Sequence, residues 1–179
     1  MKAIVGFPVF LVVVVLDQIS KLVAEATLAA TPQPVFGEWF RFALVYNPGA
    51  AFGLHLGPYS RWIFMALTAG ALVILSRLYR QTEDGDYRRV LAVALVAAGA
   101  VGNVIDRIRS EYGVVDFLDV GFGVHRWPTF NVADIAVSGG AMLLALVLWN
   151  EERREVAAAD AARAQATATS DSADYAPRT

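Results

Sequence analysis

The chain has 179 residues, of which 56% are hydrophobic and 18% charged, with a formal net charge of −2. Soluble domains carry about 25% charged residues, so this deficit points to lipid, and the absence of a basic patch interleaved with aromatics excludes nucleic acid as a partner. With no cysteine, disulfides, thiol nucleophiles and thiolate metal sites are excluded.

The apolar residues come in blocks and not in amphipathic stripes, and about 20 consecutive apolar residues suffice to span a bilayer. The first block, 4–23, follows Lys2 and resembles a cleavable leader. No small-residue cleavage motif adjoins it, and Asp17, Gln18, Ser20 and Lys21 follow, so a retained first span is predicted. The segment 24–58 is read as an external connection. Within it, Thr31–Pro34 signals a turn and Trp39–Tyr46 alternates like a strand. Asn47-Pro48-Gly49 breaks that strand, and Ala50–Leu56 is expected to be a loop or a short helix lying on the membrane.

Further spans are predicted at 59–78, 89–108 and 131–150. The polar connection between the second and third holds Arg77, Arg80, Arg88 and Arg89. Positive charge gathers on the cytoplasmic side of membrane proteins. That rule places this loop, the N-terminus and the tail inside, and the segments 24–58 and 109–130 outside. The second external segment contains Val114–Val120, another alternating stretch, which is expected to pair with the first strand over the membrane face. Aromatics such as Trp39, Phe122 and Trp127 suit an interfacial belt. The fold class expected is an all-α membrane protein with a small β addition: four transmembrane helices under an extracytoplasmic β-sheet and loop cap. Residues 1–152 form the membrane domain, and 153–179, lacking apolar periodicity, are expected to be a disordered cytoplasmic tail.

Ionisable residues at the ends of apolar spans are costly and mark working sites. This topology gathers Asp17 and Lys21 of span one, Asn103, Asp106 and Arg107 of span three, and Asn131 and Asp134 of span four at one level. Asp116 and Asp134 are the candidate catalytic pair. Two close carboxyls share a proton, so one can activate water while the other donates. The plainer alternative is that Asp134 caps a helix and Asp116 is a solvated loop charge. Asp106 and Arg107 are expected to pair at the end of span three, and Asp17 and Lys21, four apart on one helix face, to form a clamp. Asn47, Asn103 and Asn131 either orient the carboxylates and hold substrate or act as caps. Asp119 reads as a solvated charge. Gly99, Gly102, Gly139 and Gly140 let helices approach. A metallopeptidase would need an H-E-x-x-H pair, and the chain has only His55 and His125.

Five ordered blocks carry a resemblance: Asp17-Gln18-Ile19-Ser20-Lys21, Asn47-Pro48-Gly49-Ala50-Ala51-Phe52, Gly102-Asn103-Val104-Ile105-Asp106-Arg107, Val114-Val115-Asp116-Phe117 and Phe130-Asn131-Val132-Ala133-Asp134. Together they resemble the lipoprotein signal peptidase, or signal peptidase II, family. The resemblance implies an aspartic endopeptidase of the bacterial inner membrane that cuts diacylglyceryl-modified prolipoproteins before the lipidated cysteine. It implies catalysis by Asp116 and Asp134. Asn47, Gly49, Asn103, Asp106, Arg107, Asn131, Asp17 and Lys21 are then supporting or substrate-binding residues. It further implies no metal or cofactor, contact with membrane lipid, inhibition by globomycin, and a monomer. Two departures are visible: Gly53 stands where the family often has serine, and the connector 109–115 is about one residue longer. A small transporter or proton-coupled channel is the alternative, but such proteins place charge at mid-membrane on broken helices, and here it gathers at one face.

Overall fold

A computed structural model describes residues 2–49 and 57–174. Helix α1 spans Lys2–Thr27, α2 Ser60–Gln81, α3 Tyr87–Arg109 and α4 Val132–Asp174, with a 3-10 turn at Gly57–Tyr59 leading into α2. Each of the four has a stretch long and apolar enough to cross a membrane. The predicted spans 4–23 and 89–108 fall inside α1 and α3, and 59–78 and 131–150 begin one residue before α2 and α4. The expected membrane-lying segment Ala50–Leu56 lies outside the described residues.

The helices are arranged for an apolar solvent. Helix α1 buries Gly6, Asp17, Lys21 and Ala24 while exposing Phe7, Leu11, Leu16, Ile19 and Val23. Hydrocarbon accepts such side chains freely but offers polar groups no partner, so the polar face turns inward. Helix α3 is central and packs against α1, α2 and α4. Its inner face is small: Ala92, Ala94, Ala98, Gly99 and Gly102 are buried, which permits close backbone approach. A methyl at Gly99 would lie 2.3 Å from the Ala133 carbonyl oxygen, and one at Gly102 2.5 Å from Asp17 Oδ2. Gly140 is similarly enclosed by Leu95, Val96 and Ala92. Gly139 differs from expectation, because nothing lies within 4 Å of its missing side chain.

At one end of the bundle, Lys2 Nζ donates to the carbonyls of Tyr79, Arg80 and Thr82 at 3.2, 3.0 and 2.8 Å, satisfying the free C-terminus of α2. Arg89 pairs with Asp86 and with Glu151 at the same end. Beyond Glu152 the structure departs from the expected disorder, since α4 continues through Asp174. Ala157–Ala159 and the alanine-rich sequence after them have high helix propensity, which needs no apolar periodicity.

The opposite end carries a four-stranded antiparallel sheet in the order β1 (Gln33–Phe36), β2 (Phe40–Asn47), β3 (Val114–Phe122), β4 (His125–Arg126). The two alternating stretches became β2 and β3, paired as expected. The short β1 begins within the Thr31–Pro34 turn signal, and β4 was not foreseen. Ala24 and Leu28, near the end of α1, pack on Phe117, with Phe42, Leu44, Leu118 and Val132 around them. This apolar cluster seats the sheet on the bundle. In the turn from α3 to β3, Gly113 holds φ 108°, and a β-carbon there would stand 2.1 Å from the Asn47 carbonyl oxygen, a conformation and proximity that only glycine accepts.

Candidate active site

Three local features bring Asp116 and Asp134 to one place. First, pairing runs Phe42↔Leu118 and then Val45↔Asp116, so β2 carries one extra residue between them. Such a bulge twists a strand and re-aims the side chains that follow. Second, Phe130 is bound to β3: its carbonyl accepts the Phe117 and Leu118 amides at 3.0 and 2.8 Å, and its amide donates to Leu118 at 3.1 Å. Third, α4 opens with a reciprocal cap. The Asp134 amide donates to Asn131 Oδ1 at 2.9 Å, and the Asn131 amide donates to Asp134 Oδ2 at 3.2 Å. The capping expectation for Asp134 therefore holds for one of its two oxygens.

The remaining oxygens meet asparagines. Asn131 Nδ2 donates to Asp116 Oδ1 at 2.7 Å, and Asn47 Nδ2 to Asp116 Oδ2 at 3.1 Å. Asn103 Nδ2 donates to Asp134 Oδ1 at 2.9 Å. Asn131 thus touches both aspartates, and among the described residues no cation forms a salt bridge with either. Asp116 is only 2% exposed, not the solvated loop charge of the plainer alternative. Burial raises its carboxyl to about 7, reinforced by the negative charge of Asp134 and opposed by Asn47, Asn131 and Lys21.

Behind this pair lies a dry ionic cluster. Lys21 Nζ is 2.8 Å from both Asp17 Oδ2 and Asp106 Oδ2, and all three side chains are fully buried. The Asp17–Lys21 clamp is as expected. The Asp106–Arg107 pair is not: Asp106 pairs with Lys21, while Arg107 donates to the carbonyls of Gly49 at 2.8 Å and Asn103 at 3.2 Å. Adjacent helical residues point about 100° apart, so neighbours in sequence do not face one another. Gly49 is in turn held by its amide, which donates to Asn47 Oδ1 at 3.0 Å. Every expected supporting residue therefore lies within this connected network.

Two groups escaped the sequence reading. Gln18 Nε2 donates to Asp17 Oδ2, the Gly102 carbonyl and Asp106 Oδ1 at 3.1, 3.2 and 3.4 Å, closing the cluster from one side. Glu25 accepts from Arg109 at 2.7 Å and from the Tyr46 hydroxyl at 3.2 Å. Its signal was present, because Asp17, Lys21 and Glu25 recur every four residues on one helix face. Asp119, expected to be solvated, is 4% exposed. It accepts from Arg41 Nε at 2.5 Å and Arg126 Nε at 2.6 Å, bridging β2, β3 and β4.

The pair opens on a cavity of about 860 Å³. Asn47, Asn103, Arg107 and the two aspartates are among its polar lining, and Val45, Phe130, Ile135, Val137 and Met142 among its apolar lining. Gly139 also borders it, which explains the open space beside that residue. Among the described residues no three His, Cys, Asp or Glu side chains converge to hold a metal ion. A polar pair facing a mostly apolar hollow suits hydrolysis of an extended, lipid-soluble substrate.

The signature of the family described as Signal peptidase (SPase) II matches residues 9–150. The chain belongs to the signal peptidase II family. Among its relatives, a lipoprotein signal peptidase of Xanthomonas campestris is 42% identical over 138 residues, covering 75% of this chain and 82% of that protein. One from Burkholderia mallei is 40% identical over 148 residues, covering 80% and 85%. A bacterial membrane enzyme solved by the in meso method is 28% identical with a TM-score of 0.74, covering 82% of this chain and 88% of that one. The signal peptidase II family is a peptidase family, so this multi-pass membrane protein is a hydrolase and the transporter alternative is set aside.

Proposed function

We propose that the protein is an aspartic endopeptidase that removes signal peptides from diacylglyceryl-modified prolipoproteins, cutting before the lipidated cysteine. The observation that carries this reading is Asn131, whose side chain and backbone hydrogen-bond to both Asp116 and Asp134. Such bridging keeps two carboxyls close without neutralising either by a cation, which is what a proton-sharing pair needs. The relatives named lipoprotein signal peptidase support the substrate class.

In this mechanism the acyl chains stay in the bilayer and the extended peptide enters the cavity beside the pair. One carboxylate takes a proton from water, whose oxygen bonds to the scissile carbonyl carbon, while the other carboxyl protonates the carbonyl oxygen. The tetrahedral intermediate collapses as the C–N bond breaks, the first carboxyl returns its proton to the departing nitrogen, the second recovers its own from the hydroxyl, and the lipidated cysteine leaves with a free amine. The proton belongs to the pair, and burial raises the Asp116 carboxyl to about 7. The enzyme is placed in the bacterial inner membrane with both termini cytoplasmic and the sheet outside, following the arginine-rich connection at 77–89. It works as a monomer in contact with membrane lipid, needs no cofactor, and is inhibited by globomycin.

The test uses purified protein in lipid with a diacylglyceryl-modified prolipoprotein. Asp116→Asn and Asp134→Asn keep the size of the side chain and remove the titrating proton. Each is expected to fold and to lose at least about a thousandfold in rate, the scale of losing one partner of a catalytic unit. Wild-type kcat is expected to fall as pH rises through about 7, where Asp116 gives up its proton. Cleavage by either folded Asn variant at the wild-type rate sinks the pair. Failure of the wild type on this substrate, where a relative cleaves it, sinks the substrate assignment.

A further inference from the structure

Three charges in a dry interior are a poor way to gain stability. Their desolvation often outweighs their attraction, and apolar replacements of similar volume are frequently neutral or stabilising. Asp17, Lys21 and Asp106 all have 0% exposure, and none of them lines the cavity. The contacts they make explain what they do there.

Asp17 spends one oxygen on Lys21 and directs the other, Oδ1, to the Ala133 amide at 2.8 Å. Ala133 immediately precedes Asp134. Asp106 Oδ2, besides meeting Lys21, accepts the Val115 amide at 3.2 Å. Val115 immediately precedes Asp116. Consecutive α-carbons are about 3.8 Å apart, so each carboxylate grips the chain one step from a member of the pair. The two grips are joined through one ammonium.

That ammonium also fixes the amides around the pair. Lysine can only donate, so the 2.9 Å contact from Lys21 Nζ to Asn103 makes the facing atom Oδ1. Asn103 must then present Nδ2 to Asp134. The same oxygen accepts from Asn131 Nδ2 at 3.2 Å, which aims the Asn131 amide group at Asp116 as well. A donor-only group thereby sets the direction of the hydrogen bonds that reach both aspartates. Gly102 admits the arrangement, because a side chain there would collide with Asp17 Oδ2.

We propose that the buried Asp17–Lys21–Asp106 cluster is a positioning device that sets the separation and hydrogen-bond polarity of Asp116 and Asp134. These three are positioning residues that act through Ala133, Val115, Asn103 and Asn131. The proposal rests on the catalytic-pair reading above.

The test measures kcat, KM and the pH profile of full-length protein in lipid, per folded molecule, for Asp17→Asn, Lys21→Met, Lys21→Arg and Gln18→Leu. Displacing a catalytic group by about an ångström costs up to about a hundredfold in rate. Asp17→Asn and both Lys21 variants are expected to lose about 10- to 100-fold in kcat with KM within about threefold, since the cavity walls are untouched. Lys21→Met also moves the falling limb of the profile to higher pH. In the wild type Asp134 of α4 and Arg107 of α3 face Asp116, Asn47 of β2 and Asn131 donate to it, and Lys21→Met removes the α1 positive charge that opposes its raised carboxyl. Lys21→Arg keeps the charge but not its three-way geometry, so it loses kcat without moving that limb.

Where a variant of the cluster itself does not fold, Gln18→Leu decides. It loosens Asp17 and Asp106 without leaving a charge unpaired, and about a threefold or greater loss confined to kcat is expected. Folded variants that cleave with wild-type kcat and pH limb, and are merely less stable, overturn the proposal and leave the cluster a folding clamp. The same series carries Asp116→Asn and Asp134→Asn. If those remain active, the catalytic-pair reading has failed. If they are inert while the cluster variants run at full rate, only the positioning role has failed.

Discussion

Two constellations of three charges, one between the helices and one on the sheet, are built to opposite rules. Asp17, Lys21 and Asp106 lie between helices with no exposure, two carboxylates around one ammonium. Arg41, Asp119 and Arg126 lie on the sheet, one carboxylate between two guanidiniums, with the Arg41 and Arg126 side chains 40% and 17% exposed. Water can reach the cations of the second cluster and none of the first. In the first, every charge depends on the others being present. In the second, solvent replaces a lost partner at modest cost. Burial pushes the Asp119 carboxyl up, but hydrogen bonds from Arg126 and Arg41 outweigh it and hold the group below its ordinary value. A carboxyl lowered in the folded state contributes stability that is present at neutral pH and is lost as pH falls through the folded value. The sheet cluster is therefore an acid-labile staple, and the inner cluster is an internal frame.

Removing one charge from each separates these rules most sharply. Breaking a buried ionic group by deleting one partner costs about 3–5 kcal/mol, because the survivors are left uncompensated. Lys21→Met is expected to lose stability on that scale in detergent unfolding. Asp119→Asn, which leaves Arg126 its carbonyl partners and Arg41 its exposure to solvent, is expected to lose about 1–2 kcal/mol. Wild type should also approach the stability of Asp119→Asn as the pH is lowered. Equal losses for Lys21→Met and Asp119→Asn at neutral pH would erase the distinction.

The next effect is steric. A methyl at Gly102 would stand 2.5 Å from Asp17 Oδ2, whereas one at Gly139 meets nothing. Overpacking an interior costs about 1–3 kcal/mol, so Gly102→Ala is expected to lower both the melting temperature and kcat. Gly139→Ala on the cavity wall should leave stability within about 0.5 kcal/mol of wild type. A silent Gly102→Ala would mean that the inner cluster can move aside, contrary to a rigid frame.

What the sequence made legible followed from one-dimensional signals. Four apolar runs became α1 to α4, and the alternation around Phe40–Tyr46 and Val114–Val120 became the paired central strands. The pairing of Asp17 and Lys21 was legible from their four-residue spacing on an apolar helix. Partners that meet across elements were not. Asp106 stands beside Arg107 in sequence, yet it pairs with Lys21 from α1 because α3 turns the two side chains apart. Asp119 reads as a loop charge until β2 and β4 bring Arg41 and Arg126 to it. The helix beyond Glu152 was missed because periodicity reports packing, and this segment owes its helicity to alanine.

The smallest effect concerns the third charge on the polar face of α1. Glu25 lies one turn beyond Lys21 and pairs with Arg109 at 2.7 Å, their side chains 25% and 36% exposed. The ion chemistry is that of Lys21 and Asp17, but the setting is wet. Exposed pairs contribute about 0.2–1 kcal/mol, so Arg109→Ala is expected to shift stability by no more than that, and less at high salt. Glu25 also accepts from the Tyr46 hydroxyl, and Tyr46 borders the cavity. Burial, with the charge and hydrogen bond of Glu25, raises the Tyr46 hydroxyl above its ordinary value, so it remains a neutral donor throughout the working pH range. Tyr46→Phe should therefore alter KM by about twofold while leaving kcat and its falling limb in place, the signature of lost uniform binding. If Tyr46→Phe instead reduced kcat as Asp17→Asn is expected to do, the frame around the pair would extend past the dry cluster to this wet end of α1.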